Sequence, residues 1–235
     1  MKLAWSLKKK LTVTILLILS LCIIGFGLYV QDYYHADDKA LAVLQHTGVT
    51  QEHGVTTLTP ETTSDIGIIF YPGAKVESIA YLPILEKLQH LGYYCYLVDM
   101  PFRMAIFHSN AAQDVMKQHP NIKHWYIAGH SMGGAMASSY YAKHQDTLDG
   151  LILLGAYIYG DVSDQDALTI YGSFNQSVED KIDYTQNIVE IEGGNHAQFG
   201  NYGKQKGDVD ATISADEQQT QAVNAIHTFI QSRLP

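Results

Sequence analysis

The most constraining feature of this sequence is a serine flanked by glycines, Ser131, within the segment Gly-His-Ser-Met-Gly at 129–133. An apolar run from Trp125 to Ala128 precedes the segment, and small residues follow it. The G-x-S-x-G pattern is typical of a nucleophile elbow, a sharp strand-to-helix turn that exposes the serine hydroxyl. Cβ atoms two positions to either side would collide in such a turn, so both positions are glycine. A chance pentapeptide is the alternative, but the strand-like and helix-like flanks favour a catalytic Ser131.

The base that a serine hydroxyl needs is predicted at His196. A hydroxyl is a poor nucleophile unless a base lies within hydrogen-bond reach. In a strand-to-helix topology with the serine at its elbow, the base belongs in the loop after the last strand, late in the chain. His196 occupies that place, among glycines and directly after an apolar run. The alternative is an ordinary surface histidine in a polar loop, which we expect for most of the other histidines.

Two backbone N–H groups are predicted to stabilise the oxyanion that forms when a serine attacks a carbonyl. One is the N–H of Met132, the residue after the serine, and the other lies in the loop after an early strand. In the segment 71–75 we choose Ala74, with Gly73 or Lys75 as the alternatives. Taken alone, the Pro-Gly pair in this segment indicates only a turn.

The third member of a catalytic triad has three candidate positions. The position where an aspartate is expected, after the penultimate strand, holds Asn175. An asparagine can orient an imidazole but cannot offset the charge of an imidazolium, and in a serine protease this replacement lowers turnover on the order of 10⁴-fold. Asp161 and Asp164, which follow the preceding strand, are the alternative acids. Asn175 thus lies at the position expected for the triad acid, and Asp161 and Asp164 are the candidates to act as the acid in its place.

The first 30 residues form a separate region. Lys2, Lys8, Lys9 and Lys10 precede an uncharged apolar segment from Leu11 to Val30. About 20 apolar residues suffice to cross a bilayer as a helix. A cleavable secretory signal is the alternative, but its apolar core is usually ~7–15 residues and ends in a small-residue site, which does not follow here. We therefore predict an uncleaved single-pass anchor, with the C-terminal part outside the cytoplasm by the positive-inside rule.

The predicted organisation is a basic tip and anchor at 1–30, a polar linker at 31–40 and one domain at 41–235. All 24 acidic residues but only 11 of the 15 basic residues follow residue 30, which gives that part a net charge of −13. This charge disfavours nucleic acid as a partner. The sequence shows no ligand spacing typical of zinc or iron and no phosphate-binding glycine loop, so no metal or cofactor is predicted. Cys95 lies in an apolar run and is predicted to be a buried free thiol.

Short apolar runs alternate with helical patterns along the domain, after a weak hairpin at Val49–Leu58. Near-continuous apolar runs are what central parallel strands need, because helices cover both faces of their sheet. The predicted fold class is therefore α/β, with a doubly wound and mostly parallel sheet. The connection from Tyr157 to Ala167 is too short to hold a large lid. The predicted strands are Ile66–Tyr71, Tyr93–Met100, Trp125–Ala128, Leu151–Tyr157, Ala167–Tyr171 and Ile188–Ile191.

Two helices of the domain have clear sequence signals. In the first, four apolar residues are predicted to share one face and Gly92 to end the helix. In the last, Ser214 and Glu217 form a capping-box pattern before an apolar stripe. The four residues of the first helix are Ile84, Leu85, Leu88 and Leu91, and the stripe of the last helix is Val223, Ile226 and Ile230.

From about Ile66 to Leu234 the chain resembles the α/β-hydrolases, and in particular small lidless bacterial hydrolases related to dienelactone hydrolases. The resemblance implies that Ser131 is the nucleophile and His196 the base, and that the family's usual acid falls at Asn175. It also implies carboxylic ester substrates. The segments that carry it are Phe70–Glu77, Met100–Phe102, Gly129–Gly134 and Gly193–Gly200, the last continuing through Tyr202, Gln205 and Asp208 to Ser214 in a pattern typical of membrane-tethered members.

The sequence thus predicts a membrane-anchored serine hydrolase that acts outside the cytoplasm on a small or exposed ester through an acyl-enzyme. Transfer of the acyl group to another hydroxyl, as in an acyltransferase, is an alternative within the same chemistry. The contrasting hypothesis is a catalytically weak or silent binding domain that kept the hydrolase shape, and Asn175 is the residue that favours it.

Overall fold

The computed structural model describes residues 6–234 as two compact units, one ending at Tyr33 and one beginning at Tyr34. Predictions that concern Lys2 lie outside the described residues. The first unit is a single helix, α1 (Leu7–Gln31), whose N-cap Ser6 accepts a hydrogen bond from the N–H of Lys9. With 25 residues it is about 37 Å long. It is long and apolar enough to cross a membrane, a property that signal sequences near an N-terminus share.

The second unit is built on one eight-stranded sheet in the order β1-β2-β4-β3-β5-β6-β7-β8. The pairs that involve β1 and β2 are antiparallel and all the others are parallel. The observed sheet therefore confirms the predicted α/β class with a mostly parallel sheet. The strands are β1 (Val49–Glu52), β2 (Val55–Leu58), β3 (Ile66–Tyr71), β4 (Tyr94–Val98), β5 (His124–His130), β6 (Gly150–Leu154), β7 (Ala167–Gly172) and β8 (Ile188–Ile191).

Helices pack on both faces of this sheet and divide the core in two. One cluster of buried residues contains the apolar faces of α3 and α7, and the other contains those of α4 and α5. Because both faces are covered, β3, β6 and β7 are buried at every position, which explains their continuous apolar sequences. The helices are α2 (Asp38–Val43), α3 (Leu82–His90), α4 (Ala111–Gln118), α5 (Met132–Tyr141), α6 (Gln176–Glu179) and α7 (Ala215–Arg233).

The segment predicted as a linker, 31–40, contributes to the second unit from Tyr34 onward. The N–H of Tyr34 donates to the carbonyl of Lys75 at 2.7 Å, and the N–H of Glu77 donates to the carbonyl of Tyr34 at 2.9 Å. Asp37 caps α2 by accepting the N–H of Ala40, which is fully buried. The chain is therefore fixed to the domain within a few residues of Tyr34.

Most local predictions match the observed elements, with differences at the ends. Ile66–Tyr71 and Ile188–Ile191 are strands over the predicted residues, whereas the run at Leu151–Tyr157 leaves the sheet after Leu154. Ser214 caps α7 as predicted, accepting the N–H of Glu217 at 3.2 Å. The prediction for Leu91 was wrong: it follows α3 as its C-cap and is 43% exposed, because Gly92 takes a left-handed conformation and the chain turns away there.

No helix forms in the connection between β6 and β7, from Gly155 to Asp166, within the described chain. The two strands are adjacent and parallel, and a crossover that carries a cap domain would need many more residues. No cap domain therefore forms between β6 and β7, as the short connection predicted.

Candidate active site

Ser131 lies at a sharp turn between β5 and α5. Its φ of 54° and ψ of −123° are outside the regions that non-glycine residues prefer, and such strain is concentrated at functional sites. The N–H of Ser131 donates to the carbonyl of Leu154 on the neighbouring strand β6 at 3.0 Å, which fixes the turn to the sheet. The residue therefore has the backbone geometry of a nucleophile elbow.

The glycines around Ser131 are required by backbone contacts. A Cβ on Gly129 would lie 2.5 Å from the carbonyl carbon of Gly133, so the strand and the helix meet at these two residues. A Cβ on Gly133 would lie 2.1 Å from the carbonyl oxygen of Tyr71 at the end of β3. Neither neighbour is the movable end of a side chain, so a larger residue at either position would displace the main chain.

Ser131 and His196 line the same open cleft, whose volume is about 620 Å³. Asn175 and Asp208 also line it, and the exposed rings and methyl groups of Tyr159 and Val209 border it. The predicted nucleophile and the predicted base are thus brought together although they are far apart in sequence.

Asn175 is the partner of the imidazole. Its Nδ2 lies 2.8 Å from Nδ1 of His196, and its Oδ1 accepts the hydroxyl proton of Ser177 at 3.1 Å. In this arrangement the amide donates to Nδ1, so the imidazole carries its proton on Nε2. Rotation of the amide by half a turn presents Oδ1 to Nδ1 and moves the proton to that nitrogen. The Ser177 hydroxyl can then accept from Nδ2, because a hydroxyl both donates and accepts.

His130, inside the elbow motif, links three loops of the site. Its Nε2 lies 2.9 Å from the carbonyl oxygen of His196, so Nε2 carries the proton. Its Nδ1 must then accept from the hydroxyl of Tyr81 at 2.8 Å. That hydroxyl in turn accepts the N–H of Gly73 at 3.1 Å. The chain of hydrogen bonds has one consistent set of donors, and it joins the loop after β3 to the elbow and to the histidine loop.

Burial keeps both histidines of the site in the neutral form. It lowers the pKa of His130 well below its ordinary value, and the nearby His196 lowers it further. Burial also lowers the pKa of His196, and the negative charge of Asp208 partly opposes this change. The two rings are 4.5 Å apart between centroids. A neutral imidazole is the form that accepts a proton.

The predicted oxyanion donors differ in their positions. Met132 is the first residue of α5 and lines the cleft, and the N–H groups of a first helical turn have no acceptor within the helix. In the loop after β3, the N–H groups of Gly73 and Lys75 donate to Tyr81 and to Arg103. Among the described residues the N–H of Ala74 has no such acceptor, which favours Ala74 over its two neighbours. Ala74 itself does not line the cleft, and its role stays a prediction.

The structure does not bring the two alternative acids to the imidazole. Asp164 accepts hydrogen bonds from the N–H groups of Thr185 and Gln186 at 3.2 and 3.1 Å. The carbonyl of Asp161 accepts from the side chain of Gln145. Neither aspartate lines the cleft or hydrogen-bonds with His196 within residues 6–234. Of the three positions considered for the acid, only Asn175 contacts the ring.

Sequence reasoning missed the residues that hold the histidine loop in place. Gln218, fully buried on α7, accepts the N–H of Asn195 at 3.0 Å and donates to its carbonyl at 2.8 Å. Asp208 accepts the N–H groups of His196 and Ala197 at 3.3 and 2.7 Å. The only sequence signal for either residue is a Gly-Asp pair at 207–208, in a polar segment that otherwise indicates a surface loop. Within residues 6–234, no cluster of three or more His, Cys, Asp or Glu side chains is arranged to hold a metal ion.

Comparisons with known proteins agree with this fold. The model of a family described as "Alpha/beta hydrolase family" matches residues 67–220. No curated protein sequence matches the chain significantly. Many solved structures share the fold at low sequence identity, so they bear on the fold alone.

Three of these structures illustrate the similarity. Dienelactone hydrolase from Anabaena variabilis is 16% identical, with a TM-score of 0.51 over 77% of this chain and 92% of that one. Est1E from Butyrivibrio proteoclasticus is also 16% identical, with a TM-score of 0.55 over 79% of this chain and 100% of that one. XC6422 from Xanthomonas campestris, described as a serine hydrolase without a lid, is 14% identical, with a TM-score of 0.52 over 77% and 89%.

Proposed function

Because the chain belongs to the alpha/beta hydrolase family, we propose that it is a serine hydrolase that cleaves carboxylic esters through an acyl-enzyme. The observation that carries the proposal is the strained elbow at Ser131, which lines one cleft together with His196. A dienelactone hydrolase and a lidless serine hydrolase are among the structures that share this fold, which is compatible with the proposal.

In the first half of the reaction, Oγ of Ser131 attacks the ester carbonyl carbon while Nε2 of His196 takes the hydroxyl proton. The carbonyl oxygen becomes an oxyanion, which the N–H groups of Met132 and Ala74 stabilise. The bond between the carbonyl carbon and the alcohol oxygen then breaks, and the imidazolium of His196 gives its proton to the departing alcohol. The acyl group is left on Ser131.

In the second half, water attacks the acyl-enzyme and His196 takes a proton from it. The bond to Oγ breaks, the proton returns to Ser131, and the carboxylic acid leaves. Transfer to a sugar or lipid hydroxyl in place of water would follow the same steps. An added alcohol that yields a new ester in proportion to its concentration would assign the protein to acyl transfer.

The reaction requires one tautomer of His196. Nε2 must be unprotonated to accept from Ser131, so the proton must lie on Nδ1 and Asn175 must present its Oδ1. The rotated amide described above meets this requirement without loss of a hydrogen bond, because Ser177 can either donate or accept. The orientation of one amide therefore decides whether the imidazole is a base toward Ser131.

The open cleft favours short-chain or extended, exposed esters. The connection from Gly155 to Asp166 carries no helix to cover the serine, so a long acyl chain would find no enclosed apolar tunnel there. A series of p-nitrophenyl esters tests this: turnover per KM should be highest for acetate or butyrate and should fall for longer acyl chains. A maximum at palmitate would contradict it.

The central experiment is covalent labelling of the full-length protein in detergent with a fluorophosphonate probe. Ser131→Ala should abolish labelling, and His196→Ala should reduce the labelling rate by a factor on the order of 10³ or more. The matched control is Ser163→Ala, an exposed serine outside the cleft, which should label like the parent chain. Labelling that persists in Ser131→Ala would refute the assignment.

The second candidate function is a catalytically silent binding domain. It is favoured by one observation, the contact of Asn175 Nδ2 with His196, which holds the imidazole in the tautomer that cannot accept the serine proton. A folded parent chain that takes up no fluorophosphonate and hydrolyses no p-nitrophenyl ester would establish this function instead.

We also propose that α1 anchors the domain outside the cytoplasm. The support is the uncharged apolar segment Leu11–Val30 within the helix and the three lysines in its first turn. In intact cells that express the protein, external protease should degrade the domain, and the full-length chain should stay with membranes after an alkaline carbonate wash. A released chain whose mass corresponds to loss of the first 20–30 residues would show a cleaved signal sequence instead.

A further inference from the structure

Within residues 6–234, no carboxylate hydrogen-bonds with the imidazole ring of His196. Under the proposed function it becomes an imidazolium each time it takes the serine proton, and a nearby negative charge lowers the energy of that state. The amide of Asn175, 2.8 Å from Nδ1, orients the ring but carries no net charge. A charge that stabilises the imidazolium must therefore come from another part of the site.

Asp208 lies at the backbone of the same histidine. One carboxylate oxygen accepts the N–H of His196 at 3.3 Å and the other accepts the N–H of Ala197 at 2.7 Å. The chain that follows Asp208 is fixed to the histidine loop, because Asn195 Nδ2 donates to the carbonyl of Val209 and Thr212 N–H donates to the carbonyl of Gly193. The carboxylate of Asp208 is therefore held next to the backbone of His196, both by its own hydrogen bonds and by those that join its loop to the histidine loop.

The surroundings of His196 contain few other charges. From β5, His130 faces the ring and is neutral because of its burial. From the loop after β7, Asn175 faces it and is uncharged. Among the residues that line the cleft, Asp208 is the only acid, and Lys206 is the only permanently charged base. No second carboxylate of the cleft can therefore share the role of Asp208.

We propose that Asp208 is a positioning residue that supplies, through the backbone of His196, the negative charge that Asn175 cannot supply. The two roles of a triad aspartate would then belong to two residues: Asn175 orients the ring, and Asp208 stabilises its charged form. The proposal rests on the proposed function.

The ionisation of His196 is consistent with this role. Burial lowers the pKa of the imidazole, and the charge of Asp208 raises it. A charge at this distance acts through its field, so its effect should be smaller than that of a carboxylate bonded to Nδ1.

The first test is the pKa of His196 itself, measured by NMR on the full-length chain in detergent with ¹³C-labelled histidine and Ser131→Ala as background. The resonance is assigned by its loss in His196→Ala. Asp208→Asn should lower this pKa by about one unit, and Asp208→Glu, which keeps the charge, should restore most of it. The matched control is Asp164→Asn, because Asp164 also accepts two backbone N–H groups but lies outside the cleft. It should leave the pKa unchanged.

The second test is the pH profile of ester hydrolysis in the parent with Ser131 intact. Asp208→Asn should lower kcat about 10-fold with little change in KM, and it should move the acidic limb of kcat/KM to lower pH. A purely structural role would lower the plateau without moving this limb. In an Asn175→Asp background the loss caused by Asp208→Asn should be smaller, because a carboxylate at 175 already faces the imidazolium.

The two tests separate the two proposals. A shifted His196 pKa in a protein without esterase or fluorophosphonate reactivity would refute the proposed function and keep the coupling to Asp208. An active enzyme in which neither the pKa nor the acidic limb responds to Asp208→Asn would overturn the role of Asp208 alone. If neither Asp208→Asn nor Asp208→Ser folds, Asp208 is required to hold its loop in the folded state, and the proposal is wrong.

Discussion

The elbow around Ser131 and the loop around His196 contribute to the same cleft but are built in different ways. The elbow depends on the absence of side chains: Gly129 and Gly133 allow β5, α5 and the end of β3 to approach within distances that a Cβ would prevent. Apart from the contact with Tyr71, the requirement for glycine therefore arises within five consecutive residues. A short sequence pattern is enough to predict it.

The histidine loop depends mainly on side chains from elsewhere in the chain. Gln218 contacts it from α7, Asp208 from the following loop, and Asn175 from the end of β7. The carbonyl of His196 is held by His130, from the elbow itself. One half of the site is therefore encoded locally, and the other half by polar residues that come together only in the fold.

The largest effect is expected from a side chain at the elbow. Gly133→Ala should destabilise the domain by about 3 kcal/mol or more and abolish fluorophosphonate labelling, because the new methyl group would lie 2.1 Å from the carbonyl oxygen of Tyr71. The control is Gly92→Ala, where φ is +95° but the space is open, so the cost should be about 1 kcal/mol. Urea unfolding of the full-length chain in detergent measures both. Equal losses would mean that the close approach at Gly133 is not a constraint.

A smaller effect is expected from the main support of the histidine loop. Gln218→Met keeps the volume but leaves the buried N–H and carbonyl of Asn195 without partners, which should cost about 2–3 kcal/mol. Turnover should fall as well, since His196 follows Asn195. Gln221→Met, at an exposed position on the same helix, should change the urea midpoint little. If Gln218→Met were as stable as Gln221→Met, the loop would be held by other contacts.

The next prediction concerns the ring partner of His196. Asn175→Asp should raise kcat about 10- to 100-fold, because a charge-assisted hydrogen bond is worth about 1.5–3 kcal/mol and fixes the proton on Nδ1. Ser177 is already placed to donate to the new carboxylate. Steady-state hydrolysis of p-nitrophenyl butyrate measures the change. Asp161→Asn and Asp164→Asn are the controls and should retain the parent rate; a large loss in either would identify a different acid.

The smallest effect is expected in the acid stability of the domain. The pKa of His130 is well below its ordinary value of 6.5 in the folded chain, so the unfolded chain binds more protons below that pH. The stabilisation from a neutral His130 is complete above pH 6.5 and should be lost, as the pH falls below it, by at most about 1.4 kcal/mol per pH unit. Urea midpoints between pH 5 and 7.5 should therefore fall less steeply for His130→Gln. The exposed His90→Gln should follow the parent chain, and identical slopes for all three would refute the prediction.

The fold could be predicted from the sequence because most of its signals are local. Continuous apolar runs such as 66–71 and 151–154 are strands because both faces of the sheet are covered, and that burial constrains every residue in them. Where the prediction was wrong, as at Leu91, the error lay at the end of an element, where a single left-handed residue changes the direction of the chain.

The candidate site could be predicted only in part. Ser131 and His196 have recognisable neighbours in the sequence, and chain order places the acid position at Asn175. Gln218 has no such signal, and the segment around Asp208 carries the resemblance without indicating a contact with His196, because an aspartate in a polar loop and a glutamine on a helix most often face solvent. Their roles depend on hydrogen bonds to the backbone of residues 12 and 23 positions away in the chain.

The α/β class, the elbow at Ser131 and the candidate base at His196 could be predicted from the amino-acid sequence alone, because burial, strand order and the exclusion of Cβ atoms constrain each residue at its own position. The contact of Asn175 with the imidazole, the separation of Asp161 and Asp164 from it, and the hydrogen bonds from the backbone of His196 and Ala197 to Asp208 became visible only in the folded chain. The physical reason is that electrostatic and hydrogen-bond partners are selected by distance in space, and spacing along the chain does not fix that distance.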